Sequence, residues 1–307
     1  MQMKAIKEKI ASVGNIQKIT KTMEMVSVSK MRRTTRRALD AQQSSQFAAS
    51  ILRHIAEARP QKHIYIDGHT QSQDDETRKI LLVIIASNKG LCGGYNVNVN
   101  REVLGIVREY GDSHTISAIT IGRQAEKIAN RNALPIDSSY TDFSDNLDLD
   151  DVRVLTNDII QKYYQDNAID QVILAHTRFI KMMEYKATRS ILFPLKDNQM
   201  ITHHLPVDPG GATGIVEKKI AKQEYQFEPS IGLVIEKTIP YVIQALLMHK
   251  IHEASASEHS ARMIAMQNAS ENAGRMRDDL KLSFNRARQA GITQEISEII
   301  SAAEAVT

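Results

Sequence analysis

Two long helical patterns, one at each end of the chain, limit what these 307 residues can fold into. Apolar residues recur every three or four positions from Met3 to Val26, and no proline occurs before Pro60. This spacing predicts one helix, which should end near Arg59 because the residue before a proline disfavours the α conformation. A second helical pattern begins at Ser230, runs to the C-terminus and is interrupted only by Pro240 and three glycines.

The predicted lengths of these two helices require a partner surface. At about 1.5 Å per residue, the N-terminal helix would be roughly 85 Å long and the C-terminal helix roughly 115 Å. Neither can be buried within a compact domain. Each must therefore pair with the other or lie inside a partner, and if they pair, roughly the last 20 residues of the longer helix should project past Met1.

Strand and helix signals alternate in the middle of the chain. They predict strands at 80–86, 114–122 and 169–179, separated by helices at 97–110, 123–132 and 152–165. Strands that alternate with helices in this way are typical of a mostly parallel, Rossmann-like sheet. Further strand signals at 186–195 and near 222–227 predict an antiparallel edge, and the polar stretch 61–77 is interpreted as a surface connection.

The fold class is therefore predicted to be α/β, with a central Rossmann-like domain at 78–228 between long helices at 1–59 and 229–307. Aromatic residues make up only 5% of the chain and tryptophan is absent, which favours a helix-rich protein over a β-sandwich. The single cysteine, Cys92, excludes an intramolecular disulfide and indicates a reducing compartment. Because the chain lacks an uninterrupted apolar run of roughly 18 residues, we expect a soluble protein.

The stretch "SNKGLCGGYN", residues 87–96, follows the first predicted strand and raises the possibility of a phosphate-binding loop. A P-loop requires GxxxxGK[ST] and a dinucleotide site requires GxGxxG, but Gly90, Gly93 and Gly94 fit neither spacing. No serine or threonine follows the glycines to hold magnesium. The loop is therefore predicted to be a tight strand-to-helix turn, and no cofactor is expected.

Other residues of catalytic type do not form a convincing site. Cys92 has no local signature that links it to a histidine or an acid, so it is not predicted to be a nucleophile. His249 and His252 are three residues apart on a predicted helix and could ligate a metal, but a third ligand is not evident. We interpret them as solvent-facing histidines, and His203 and His204 give no stronger indication of a metal site.

Positive charge is concentrated at the N-terminus. Residues 1–40 contain ten lysines and arginines against Glu8, Glu24 and Asp40, a net charge of +7, which leaves −4 on the remaining residues. The segment "SKMRRTTRR", residues 29–37, could simply be the solvated face of a helix. It could equally dock on nucleic acid, a membrane surface or an acidic protein segment.

Three segments carry a resemblance to a known family. "IQKITKTMEMV" near the N-terminus, the glycine loop, and "NRARQAGITQE" near the C-terminus resemble the γ subunit of F-type ATP synthases, the central rotor shaft, in the same order along the chain. The resemblance implies that the terminal helices form a long antiparallel coiled coil inside a ring of three α and three β subunits. It also implies that nucleotides bind to the α and β subunits and that this chain is not catalytic.

The resemblance further implies a mechanism and a location. Rotation driven by the membrane c-ring would couple proton or sodium translocation to ATP synthesis or hydrolysis. The ε subunit would be a further partner, and the complex would lie at the cytoplasmic face of the bacterial plasma membrane, so that the chain meets the membrane only through the complex. The family's C-terminal signature has glycine where this chain has Ala302, and residues 60–78 match the family poorly.

The resemblance assigns partner-binding residues by position. Contacts with the β subunit are expected at Met23, Lys30, Arg32, Arg33, Lys89, Arg288, Gln289, Thr293 and Glu295. An apolar bearing in the ring is expected to cover the isoleucines of the projecting end, Ile292, Ile296, Ile299 and Ile300.

Two other classes of function are weighed against this one. A basic coiled-coil scaffold or nucleic-acid-binding protein could use the N-terminal cluster on phosphate, but that cluster lacks interleaved aromatic residues and the rest of the chain is net acidic. An oxidoreductase would need a working dinucleotide loop. We therefore expect no nucleic-acid partner and no nicotinamide site.

Overall fold

The computed structural model describes residues 2–58, 62–69, 78–141, 147–195, 228 and 230–304. The chain forms two compact units, one made of Met1–Val28 with Arg262–Thr307 and the other of Ser29–Ala261. Helix α1 (Gln2–Ala58) and the last helix, α6 (Ile231–Glu304), contribute to both units. The two long helices predicted from the sequence are thus confirmed.

Helix α6 continues through Pro240, although proline removes one backbone hydrogen bond from a helix. The residues around it, Ile239, Val242 and Ile243, are buried in the core and hold this turn in place. One 18-residue window of α6 has a mean hydropathy of 1.5, so length and composition alone would allow it to cross a membrane. Only 33% of that window is buried, so core packing covers about a third of it.

The second unit contains a sheet of five strands, in the order β3-β2-β1-β4-β5. Four strands are parallel, and β5 runs antiparallel to β4 at one edge. The strands are β1 (Arg78–Ile85), β2 (His114–Ile121), β3 (Ile136–Tyr140), β4 (Ile169–Lys181) and β5 (Glu184–Phe193). This confirms the predicted Rossmann-like sheet with an antiparallel edge. The strand expected near 222–227 lies outside the described residues, as do His203 and His204.

Helices cover both faces of this sheet, because alternate residues of a buried strand point to opposite sides. On one face Ile80, Leu82 and Ile84 of β1 lie in a core with residues of α3 (Tyr95–Tyr110) and α4 (Arg123–Arg131). On the other face Leu81, Val83 and Ile85 lie in a core with residues of α5 (Leu149–Gln165) and α6.

The interpretation of residues 61–77 as a surface connection is wrong for the part that the structure describes. Residues 64–67 form a short helix, α2 (Ile64–Asp67), in which Tyr65 and Ile66 are buried. The Tyr65 ring lies 5.5 Å from the ring of Phe193, and Tyr163 stacks on Phe193 at 4.8 Å. Burial of these large aromatic rings, together with a backbone hydrogen bond from Leu195 to Tyr65 (2.9 Å), fixes the segment to the core.

The first unit consists of two antiparallel helix segments. Gly274 of α6 lies beside Gln17 of α1, and Gly291 lies beside Met3, so the sequence numbers rise on one helix as they fall on the other. A Cβ atom on Gly274 would come within 2.9 Å of Nε2 at the end of the flexible Gln17 side chain, so this side chain lies directly over the glycine. Small and flexible residues form the buried seam: Thr20, Ser27, Met263, Met266, Ser270 and Ala273.

Candidate functional site

The glycine loop connects the end of β1 to the start of α3 and is filled by its own side chains. Ser87 Oγ donates a hydrogen bond to the carbonyl oxygen of Lys89 (2.7 Å) and accepts one from Asn96 Nδ2 (2.8 Å). The Asn96 amide also donates to Cys92 Sγ (3.2 Å), and Cys92 is buried. These contacts occupy the interior of the loop, where a phosphate would have to bind.

The backbone of this loop is fixed to the neighbouring loop after β2. Gln124 N donates to the carbonyl oxygen of Ser87 (3.0 Å), and Arg123 N donates to Asn88 Oδ1 (3.1 Å). Gly122 has a φ of 95°, and a Cβ atom there would lie 2.3 Å from the carbonyl oxygen of Ala86. Only glycine allows the two loops to approach this closely. The loop is a strand-to-helix connection of residues 86–94, between the end of β1 and the start of α3.

The usual ligand position of such a sheet is also filled. In open α/β sheets, ligands bind where the strand order reverses, which here is between β1 and β4. At the end of β1, Tyr95 and Cys92 form a small buried cluster with Ala261 of α6, and the Tyr95 hydroxyl donates to the carbonyl oxygen of Ala254 (3.2 Å). Helix α6 therefore covers the place where a nucleotide would be expected.

The interpretation of His249 and His252 as solvent-facing is wrong. Both are buried in the second unit, where the carbonyl oxygen of Ala38 on α1 lies 3.2 Å from His249 Nδ1. Burial lowers the pKa of His249, and burial with the nearby charge of Arg37 lowers the pKa of His252 to about 4. Both histidines are therefore neutral at pH 7. The described residues include no group of three or more metal-ligating side chains around them or elsewhere.

A buried ion pair lies on the same part of α6. Lys250 Nζ is 2.9 Å from Glu253 Oε2, and both side chains are almost fully enclosed. Glu253 Oε1 also accepts a hydrogen bond from the backbone N–H of Phe179 on β4 (3.2 Å). This pair ties α6 to the sheet. Buried charges of this kind are tolerated because each has a partner.

The predicted basic contact residues of the second unit lie on its surface. Lys30, Arg32 and Arg33 are exposed on α1, and Lys89 is exposed in the glycine loop. Met23 lies in the first unit and is half-buried.

The predicted C-terminal contact residues lie together on α6 in the first unit. Arg288, Gln289, Thr293 and Glu295 are all exposed, and Thr293 Oγ1 donates to the carbonyl oxygen of Gln289 (3.0 Å). Met23 of α1 does not lie near these four residues. It is roughly 30 Å along α1 from Met3, and Met3 is the residue beside Gly291 of α6.

The end of α6 beyond Gly291 presents an exposed apolar face. Ile292, Ile296, Ile299 and Ile300 are spaced so that they lie on one side of the helix, and their exposed fractions range from 49% to 69%. Among the described residues 292–300 every side chain is exposed. A surface of this kind in water is typical of a chain that a partner covers.

Sequence reasoning missed one charged surface in the second unit. Arg123, Lys127 and Arg131 occupy every fourth position of α4, and all three are exposed. Their regular spacing in "RQAEKIANRN" is a visible signal that could have identified them.

The exposed apolar end of α6 is typical of a subunit of a larger assembly, and the comparisons with known proteins identify the class. A family model described as ATP synthase matches residues 2–306. The ATP synthase gamma chain of Nitrosococcus oceani is 33% identical over 306 residues, which is 99% of this chain and 99% of the relative. That of Mannheimia succiniciproducens is 32% identical over 305 residues, again 99% of each. The chain belongs to the ATP synthase gamma chain family, and its role is that of the central stalk.

Solved structures with the same fold support the architecture. A chain of the Euglena gracilis mitochondrial ATP synthase, determined with OSCP, F1 and the c-ring, aligns with a TM-score of 0.62 and 17% identity. The alignment covers 99% of this chain and 94% of that one. The central stalk and c-ring structure from Tetrahymena thermophila aligns with a TM-score of 0.57 and 23% identity, covering 82% of this chain and 99% of that one.

Proposed function

We propose that this chain is the rotating shaft that carries motion between a membrane c-ring and a ring of three α and three β subunits. Rotation would force the three nucleotide sites of the β subunits through successive affinities, and so couple proton or sodium translocation to ATP synthesis or hydrolysis. The chain itself would be a non-catalytic subunit, with the ε subunit as a further partner. The complex would lie at the cytoplasmic face of the bacterial plasma membrane.

The observation that carries this proposal is the exposed apolar end of α6. Four isoleucines lie on one face of a helix that continues past the end of its antiparallel partner. Burial of apolar surface is worth roughly 25 cal/mol per Å², so a partner that encloses this end would gain stability. An apolar bearing formed by the α and β subunits fits this surface.

Polar contacts with the β subunit are proposed at two groups of residues. Arg288, Gln289, Thr293 and Glu295 would bind loops of β just below the apolar end. Met23, Lys30, Arg32, Arg33 and Lys89 would meet an acidic segment of β, since four of these five are cations and the four cations are exposed. We also propose residues 1–59 and 229–307 as the shaft helices and 78–228 as the body.

A rotation measurement tests the proposal. The chain would be coexpressed with the α and β subunits of the same organism, with Lys186→Cys on the exposed surface of β5 as the attachment point for a bead. Because Cys92 is buried, it should not compete for the label. Addition of ATP to the surface-bound complex should drive stepwise rotation of the bead. A complex that hydrolyses ATP without rotation, or subunits that do not assemble with this chain, would contradict the proposal.

Calorimetry on the purified chain tests its non-catalytic character separately. The filled glycine loop should bind ATP and NAD no more tightly than millimolar, because side chains of Ser87, Cys92 and Asn96 occupy its interior. A micromolar nucleotide site in the isolated chain would overturn this expectation.

A further inference from the structure

The exposed face of α4 carries a row of three cations. Arg123, Lys127 and Arg131 follow one another at intervals of four residues, which places them on one side of the helix. Successive side chains are therefore about 6 Å apart along the helix axis, and the row is about 12 Å long. Exposed residues on this face are otherwise polar, as at Asn130.

None of the three cations forms an ion pair within the part of the chain that the structure describes. In residues 78–141 and 147–195, the ion pairs of the second unit involve other basic residues. The two nearest carboxylates along the chain are held by serine hydroxyls instead. Glu126 accepts a hydrogen bond from Ser139, and Asp137 accepts one from Ser117 (2.6 Å).

The N-terminal part of the row opposes the local stability of the helix, whereas Arg131 lies in the last turn, where the helix dipole favours a cation. Like charges four residues apart repel one another. Arg123 is also the first residue of α4, where the helix dipole disfavours a cation, and the capping residue Gly122 provides no side-chain hydrogen bond. The helix forms because Ala125, Ile128 and Ala129 are buried in the core. Residues that oppose local preference in this way are expected at functional surfaces.

We propose that α4 is a docking surface for an acidic helix of a partner protein, one that carries carboxylates at every fourth position. A straight row of cations with a spacing of about 6 Å matches such a helix charge for charge. The exposed face lacks the apolar side chains that an interfacial membrane helix inserts among lipids, within the described residues 123–131. The surface lies wholly in the second unit and does not depend on the proposed rotation.

Binding of a designed peptide to the full chain tests this inference. The probe is a fluorescent helical peptide of about 20 residues with glutamate at every fourth position, and a second peptide has the same composition in scrambled order. The triple variant Arg123→Gln, Lys127→Gln, Arg131→Gln should weaken binding of the ordered peptide by at least about tenfold. Because the three side chains are exposed, circular dichroism should show an unchanged fold.

A matched control removes the same charge elsewhere. The variant Lys4→Gln, Lys7→Gln, Lys9→Gln changes three exposed lysines of α1 and should alter the affinity by less than about twofold. Binding to the unmodified chain should also weaken when NaCl is raised from about 50 to about 300 mM. An equal loss in both variants, equal binding of the scrambled peptide, or insensitivity to salt would overturn the proposal. Tighter binding of phosphatidylglycerol vesicles or duplex DNA through the same three residues would also overturn it, in favour of a membrane or nucleic-acid surface.

Discussion

The two units of this chain place their apolar residues in different environments. In the second unit, the five successive residues 80–84 of β1 are fully enclosed between layers of helices. In the first unit Ile19 is 59% exposed and Ile299 is 69% exposed, although both lie in regular helix. The second unit can therefore obtain its stability from its own core, whereas the helix pair of the first unit leaves apolar side chains exposed, which is typical of a surface that binds a partner.

The largest expected effect separates assembly from folding. Replacing Ile296 and Ile299 by aspartate should leave the free chain folded but weaken the proposed assembly with α and β subunits. Each isoleucine buried in the complex is worth roughly 1.5 to 3 kcal/mol, so the pair should cost roughly 3 to 6 kcal/mol of binding free energy. Complex yield by gel filtration, with circular dichroism of the free chain, measures both effects.

The matched control for this variant adds the same charges on another face of the same turn. Gln294→Asp with Ser297→Asp changes exposed polar residues and should leave the complex yield nearly normal. Normal yield and normal ATPase coupling in the isoleucine variant would show that the apolar end does not lie in an apolar bearing.

A second prediction compares one leucine from each unit in the free chain. Leu82 of β1 is 0% exposed, so Leu82→Ala should lower the free energy of unfolding by about 2 to 5 kcal/mol through lost burial and a cavity. Leu282 of α6 is 54% exposed, and Leu282→Ala should change the stability by no more than about 0.5 kcal/mol. Urea denaturation followed by circular dichroism gives both values. Similar losses in the two variants would contradict the difference between the units.

The third prediction concerns the pH dependence of the second unit. His252 is held neutral by burial, with its pKa lowered to about 4, whereas the unfolded chain binds a proton near the ordinary value of about 6.5. The free energy of unfolding therefore does not depend on this histidine above about pH 6.5. As the pH falls toward 4, protonation of His252 in the unfolded chain lowers the free energy of unfolding by roughly 1 to 3 kcal/mol. Burial also lowers the pKa of His249, so this histidine likewise makes the chain less stable at low pH.

Denaturation midpoints of the native chain and His252→Gln across this pH range check that expectation. The variant should lose less stability on acidification than the native chain, since glutamine does not titrate. Parallel pH profiles would show that His252 is not the group responsible.

The smallest effect is expected at the basic residues of α1. Exposed ion pairs contribute about 0 to 1 kcal/mol each, so single substitutions of Lys30, Arg32 or Arg33 should be nearly silent. Reversing all three charges to glutamate should reduce ATP-driven proton pumping and alter its salt dependence, while folding stays normal. Exchanging lysine and arginine at these positions keeps the charge and serves as the control. Unchanged pumping in the triple reversal would exclude a contact with an acidic segment of β.

Several parts of the fold could be predicted because their signals are local. The apolar runs of β1 and β4 and the helical spacing at both ends are visible within one segment of sequence. The glycine loop could be excluded as a phosphate site because a P-loop or dinucleotide fingerprint has a fixed spacing that this loop lacks. Strand β3 was missed because "IDSSY" is short and has little apolar character at the sheet edge.

Other features depend on contacts between distant segments. Tyr65 lies in a polar stretch of sequence that gives no sign of burial. Helix α2 is part of the core because Tyr65 packs against Tyr163 and Phe193, which are about a hundred residues or more further along the chain. His249 and His252 have a spacing that suits a solvent face equally well, and their burial depends on α1 passing beside α6 at Ala38. The partner contacts assigned by resemblance stay predictions, because they depend on other chains.

Hydrogen exchange tests the central claim most directly, by comparing the free chain with the chain assembled with α and β subunits. Amides of residues 292–300 should exchange rapidly in the free chain and become protected in the complex, because the ring would enclose this end of α6. Amides of β1 and β4 should be protected in both states, since the core of the second unit is complete without a partner. Equal exchange of residues 292–300 in the free and assembled chain would contradict the account.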